Sequence, residues 1–152
     1  MKLCDCILEE CIFLEVRAQD KWSFFEEIAK PLAKVLKKEP EEIQRALEER
    51  ERLGTTAIGY EIALPHCRLS GLERIVMAVA LKRTGIDFEA LDKRLVRIVF
   101  VILAPENECQ RYLRVLAYMS HLLKNEAFRK RLLACHTTEE IKKILAEVDY
   151  EF

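Results

Sequence analysis

The chain has 152 residues, 51% of them apolar and 34% charged, with 25 Lys+Arg against 26 Asp+Glu and a formal net charge of −1. That length suits one domain with its own core, and the balanced charge excludes a polybasic nucleic-acid or membrane-surface binder as the first reading. No apolar run approaches the ~20 residues of a bilayer span, and Met1 to Cys6 lacks the apolar stretch of an export signal, so a cytoplasmic protein without membrane insertion is expected.

Six cysteines in a chain of this size read as reduced thiols rather than a disulfide scaffold. Cys4, Cys6 and Cys11 cluster near the start but lack zinc-knuckle spacing, so they read as small, semi-buried side chains.

In chain order, Ile12 to Arg17 is β-prone and begins to alternate, which predicts a first strand. Asp20 stands as an N-cap for an amphipathic helix over 22–36, with Pro31 inside it expected to kink it. Pro40 opens a second helix that runs to about Arg52 and stops at Gly54. The stretch 55–68 reads as a loop and a short strand ending at Pro65-His66. Two apolar runs, 75–82 and 96–103, have no polar alternation, which predicts central strands covered on both faces. Helices follow over 108–124 and 126–135, and Thr137-Thr138-Glu139-Glu140 forms a capping box for a last helix to about Val148. The order predicts a single α/β domain over 1–152, with a mixed central sheet of about four to five strands sandwiched between helices on both faces.

Of three histidines, His136 reads as an exposed linker residue and His121 as a partly exposed helix residue. His66 has two readings of comparable weight, a structural strand-end residue or an acid–base or nucleophilic group titrating near neutrality. Pro65 stiffens the backbone before it, and Arg68 shares its side of an extended chain. Thr55, Thr56, Gly54 and Gly59 bring hydroxyls and adaptable backbone nearby, the makings of a phosphate cradle around an imidazole. A metal site built from His66, Cys67, Cys109 and the N-terminal cysteines has no ligand spacing behind it, and no metal or other cofactor is expected.

Arg50-Glu51-Arg52-Leu53-Gly54-Thr55-Thr56-Ala57-Ile58-Gly59, followed by Ile62-Ala63-Leu64-Pro65-His66-Cys67-Arg68, resembles the active-site stretch of the fructose/mannitol-type enzyme IIA domains of the bacterial phosphotransferase system, including their nitrogen-regulatory (PtsN-like) branch. The likeness continues through Leu103-Ala104-Pro105 and the following helix, over nearly the whole chain. The resemblance implies a phosphocarrier in which His66 accepts a phosphoryl group from an HPr-type carrier. The group then passes to a IIB partner of a separate transporter, or serves as a regulatory mark. It further implies that Arg50 and Arg68 hold phosphate oxygens and that the Thr56 hydroxyl donates to them.

Three departures stand out. Tyr112 occupies the place of the family's second histidine, and His121, nine residues on at about 100° each, falls on the opposite side of the helix. Tyrosine donates one hydrogen bond but cannot become a cation, a loss of roughly 1.5–3 kcal/mol where a charged partner is replaced. Cys67 replaces the usual Gly, which would stiffen the loop if a positive φ were needed there. Tyr60-Glu61 stands where Asn-Gly is frequent, so the turn is expected to differ. These departures carry an alternative reading, a regulatory protein-binding module of the same fold with weak or lost phosphoryl transfer.

Overall fold

The computed structural model describes residues 1–152. In chain order its elements are α1 (Leu3–Cys6), β1 (Ile7–Phe13), α2 (Lys21–Leu36), α3 (Pro40–Arg52), β2 (Ala57–Gly59), β3 (Ile62–Ala63), β4 (His66–Leu69), β5 (Val76–Ile86), β6 (Val96–Pro105), α4 (Cys109–Leu123), α5 (Glu126–Leu133) and α6 (Thr138–Ala146).

The helices begin where the caps place them. The Asp20 carboxylate accepts from Ser23 N–H, Pro40 opens α3, and the Thr137 hydroxyl accepts from Glu140 N–H. Helix α2 stays unbroken through Pro31. Two expectations need correction. The first strand lies at Ile7–Phe13, not 12–17, because a bulge between Ile7 and Ile12 turns Glu9 and Glu10 both outward and hides the alternation. His66 opens a strand instead of ending one.

The sheet is mixed and six-stranded, in the order β1-β5-β6-β3-β2, with β4 also paired to β6. β5 and β6 are antiparallel at its centre, while β1 runs parallel to β5 and both β3 and β4 run parallel to β6. Val76, Ala78 and Ala80 of β5, with Val99, Val101 and Leu103 of β6, pack beneath Phe25, Ile28 and Leu32 of α2 and Ile43 and Leu47 of α3. The intervening Met77, Val79, Leu81, Ile98, Phe100 and Ile102 meet Val115 and Met119 of α4, Leu132 of α5 and Ile141 and Leu145 of α6. Both faces of the central pair are therefore apolar because both are covered, each fully buried large side chain contributing about 1.5–3 kcal/mol.

Candidate active site

His66 owes its position to an interruption in the sheet. Strands β3 and β4 follow one another along the same edge of β6, with Ile62 and Ala63 opposite Ile98 and Val99, and His66 to Leu69 opposite Ile102 to Pro105. Leu64-Pro65 lies between them. Pro65 has no N–H for the ladder, although its carbonyl accepts from Ile102 N–H at 2.9 Å. The Leu64 carbonyl is left to the His66 ring, whose Nδ1 lies 2.7 Å away. A carbonyl oxygen only accepts, so Nδ1 carries the proton and, in the neutral ring, Nε2 keeps its lone pair. Burial holds the His66 pKa below its ordinary 6.5; the Leu64 bond opposes this, the Arg50 charge adds to it and the Glu51 charge opposes it. The ring is accordingly neutral, and nucleophilic at Nε2, at neutral pH.

Burial along β4 alternates, so His66 and Arg68 share one side while Cys67 and Leu69 enter the core on the other. A cleft of about 420 Å³ opens there between the end of α3, β4 and the first turns of α4. Arg50 and Arg68 both line it. Arg50 Nη1 donates to the Gly54 carbonyl at 3.0 Å, and Arg68 Nη1 to Cys109 Sγ at 2.9 Å. Neither guanidinium is ion-paired, and the single carboxylate on the lining, Glu49, bonds to neither. Two uncompensated cations beside a neutral imidazole favour an anion.

Tyr112, in the first turn of α4, is 8% exposed and meets the His66 ring edge-to-face with centroids 5.8 Å apart. The Arg68 guanidinium lies 6.0 Å from the centre of the tyrosine ring. Burial pushes the Tyr112 pKa upward, so its hydroxyl stays protonated and can donate. The rim of the cleft is apolar and open, with Leu53 84% and Leu113 65% exposed.

The structure therefore brings His66, Arg50, Arg68 and Tyr112 together. It corrects the expectation for Thr56, which is not on the cleft lining. The Thr56 hydroxyl donates to Glu51 Oε1 at 2.6 Å and its N–H to Glu51 Oε2 at 2.9 Å, all within a buried pocket. The Thr55 hydroxyl is likewise engaged, donating to the Phe88 carbonyl at 2.8 Å. Lys21, which pairs with Glu51 at 3.2 Å, was not singled out from sequence. The two lie 30 positions apart, and only the adjacency of Glu51 to Arg50 hinted at the network.

The departures at Cys67 and Tyr60-Glu61 have different outcomes. Cys67 sits in regular strand, without a positive φ, and burial pushes its thiol up to about 12. Tyr60 and Glu61 have φ of 57° and 64°, the left-handed pair that Asn-Gly usually supplies to a tight hairpin. Both other histidines, His121 and His136, are exposed.

A family model described as "Phosphoenolpyruvate-dependent sugar phosphotransferase system, EIIA 2" matches residues 6–148. The chain belongs to this EIIA family. A nitrogen regulatory protein of Bradyrhizobium diazoefficiens is 34% identical over 146 residues, covering 96% of this chain and 95% of its own length. The crystal structure of nitrogen regulatory protein IIA-Ntr from Neisseria meningitidis superimposes with a TM-score of 0.87 at 27% identity, covering 93% of this chain and 97% of that one. The IIA subunit in the complex of enzyme IIAMTL with phosphorylated enzyme IIBMTL from Escherichia coli gives a TM-score of 0.75 at 25% identity, over 91% and 96% of the two chains. EIIA membership places the chain in the phosphotransferase system as a phosphocarrier or regulatory component, and the nitrogen-regulatory relatives give the regulatory side its weight. No helix of the chain is long and apolar enough to cross a membrane.

Proposed function

We propose that the chain is a cytoplasmic phosphocarrier in which His66 Nε2 accepts a phosphoryl group from an HPr-type carrier. The observation that carries this reading is the hydrogen bond from His66 Nδ1 to the Leu64 carbonyl, which leaves Nε2 as the free nucleophile beside two unpaired guanidinium groups. In the transfer, the Nε2–P bond forms as the N–P bond to the donor imidazole breaks, and that bond's electron pair returns to the donor ring. Nδ1–H stays bonded to Leu64 and disperses the charge gained by the phosphorylated ring. Arg50 and Arg68 hold the equatorial oxygens, and the Tyr112 hydroxyl donates a neutral hydrogen bond.

A protein donor covers the apolar rim at Leu53 and Leu113, which excludes water from the reacting atoms. The onward recipient is a IIB protein, a reading supported by the solved complex of an EIIA relative with phosphorylated IIB. The test is incubation with phosphoenolpyruvate, enzyme I and an HPr-type carrier, with mass mapping of phosphohistidine. Label at His66, lost in H66Q, is expected. An unmodified chain beside a labelled control EIIA domain overturns the reading.

Tyr112 supports a second reading, a regulatory module that signals by docking, because a neutral phenol cannot supply the charge of an imidazolium. Partner capture unchanged in H66Q favours that module, and capture lost in H66Q favours the phosphocarrier.

A further inference from the structure

The buried pair Lys21–Glu51 lies outside the cleft, yet an unbroken line of hydrogen bonds joins it to the His66 ring. Lys21 Nζ donates to Glu51 Oε2 at 3.2 Å, with the two side chains 5% and 0% exposed. Glu51 accepts both the N–H and the hydroxyl of Thr56, at 2.9 and 2.6 Å. The Thr56 carbonyl accepts from Leu64 N–H at 3.0 Å. The Leu64 carbonyl then accepts from His66 Nδ1 at 2.7 Å.

Each link fixes the next. A carboxylate this deeply buried needs its counter-charge to stay in place. Lys21 is itself anchored, its N–H donating to the Asp87 carbonyl at 2.9 Å and its ammonium standing 5.1 Å from the centre of the Trp22 ring. The same carboxylate stands one residue from Arg50, so it also sets the end of α3 from which that guanidinium reaches the cleft.

We propose that Lys21 is a positioning residue for phosphoryl transfer, anchoring Glu51 and, through Thr56 and Leu64, holding His66 in its Nδ1–H tautomer with Nε2 available to the donor. This rests on reading His66 as the phosphoacceptor. Lys21 itself touches neither the ring nor the cleft, so it acts only through the others.

The test uses the full chain with 15N-labelled histidine, reading the His66 tautomer from long-range 1H–15N spectra and the phosphorylation rate with phosphoenolpyruvate, enzyme I and an HPr-type carrier. The exposed rings of His121 and His136 serve as internal references. Lys21→Met is expected to erode the Nδ1–H tautomer of His66 and slow phosphorylation about tenfold to a hundredfold, the scale of a small misplacement of reacting groups. Lys21→Arg, which keeps the charge, is expected to restore both. A folded Lys21→Met chain with an unchanged His66 spectrum overturns the proposal, whatever its rate. Should that variant fail to fold, Thr56→Val removes one of the two bonds to Glu51 while leaving the ion pair intact. The tautomer is expected to shift in the same direction, and an unshifted ring overturns the proposal. If the wild-type chain takes no phosphate at all, the phosphocarrier reading falls, while the ring spectra still decide the role of Lys21.

Discussion

Tyr112 stands edge-to-face against His66, the two ring centroids 5.8 Å apart, and its hydroxyl is a neutral donor on a cleft also lined by two guanidinium groups. Removing that hydroxyl while keeping the ring isolates its contribution. Tyr112→Phe is expected to slow phosphorylation of His66 roughly two- to tenfold, the effect of one neutral hydrogen bond of about 0.5–1.5 kcal/mol. Single-turnover transfer from a phosphorylated HPr-type carrier measures it, and an unchanged rate removes Tyr112 from the phosphate site.

The pH dependence follows from the ring. His66 titrates below 6.5, chiefly because it is buried, with Arg50 pushing the same way. Transfer needs the neutral ring, so the rate is expected to be flat from neutral pH upward and to fall only as the solution turns acidic past the folded pKa. Between the folded pKa and 6.5 the unfolded chain binds more protons, so stability also declines as pH falls through that window. Arg50→Met removes one lowering influence, and the acid limb is expected to move toward neutrality while phosphorylation weakens. A pH–rate profile and a His66 titration by NMR check both, and an unmoved acid limb contradicts the electrostatic role of Arg50.

The hairpin between β2 and β3 offers a stability test. Tyr60 and Glu61 occupy left-handed backbone that costs a residue with a Cβ roughly 1–2 kcal/mol. The contacts set against that cost are modest: ion pairs from Glu61 to Arg94 at 2.8 Å and to Arg97 at 3.9 Å, and the Arg129 guanidinium 5.3 Å from the Tyr60 ring centre. Tyr60→Asn with Glu61→Gly is expected to stabilise the chain by about 1 kcal/mol, raising Tm by about 2–4 °C at this size. Calorimetry showing a lower Tm sinks the strain argument.

The cysteines divide by exposure. Cys4 and Cys109 are exposed, while Cys6, Cys11, Cys67 and Cys135 are buried. Burial pushes Cys6 and Cys11 up to about 11 and Cys67 to about 12, so these thiols stay protonated and unreactive at neutral pH. Iodoacetamide at pH 7.5 is expected to label two cysteines quickly and the other four only on unfolding, as peptide mapping will show.

What sequence conveyed follows element length. The long helices α2, α3 and α4 carry an amphipathic stripe, reinforced by the Asp20 cap in α2 and by Pro40 in α3. The twin strands β5 and β6 carry continuous apolar runs that few other structures accommodate. Helix α1, with four residues, and strands β2 to β4, with two to four, are too short to show a period, so the sheet has six strands where four or five were expected. In the site, Arg68 was legible beside His66 because alternate residues of an extended chain share a side, whereas Arg50 came only from the family resemblance. Thr56 misled because a hydroxyl in a sequence does not reveal its acceptor. Glu51, five positions before it, claimed that hydroxyl directly, and the pairing of Glu51 with Lys21, 30 positions away, leaves no periodic trace.

The Pro65 carbonyl is bonded to Ile102, at the heart of β6. The backbone that enters His66 is thereby moored to a central strand of the sheet, even though the ring faces the cleft. Substitutions around the mouth of the cleft are free to change its shape and charge without tilting the imidazole. Conversely, a motion that lifts the backbone at His66 off the sheet would have to break bonds to a central strand, so the Ile102 amide should be among the last to exchange with solvent deuterium.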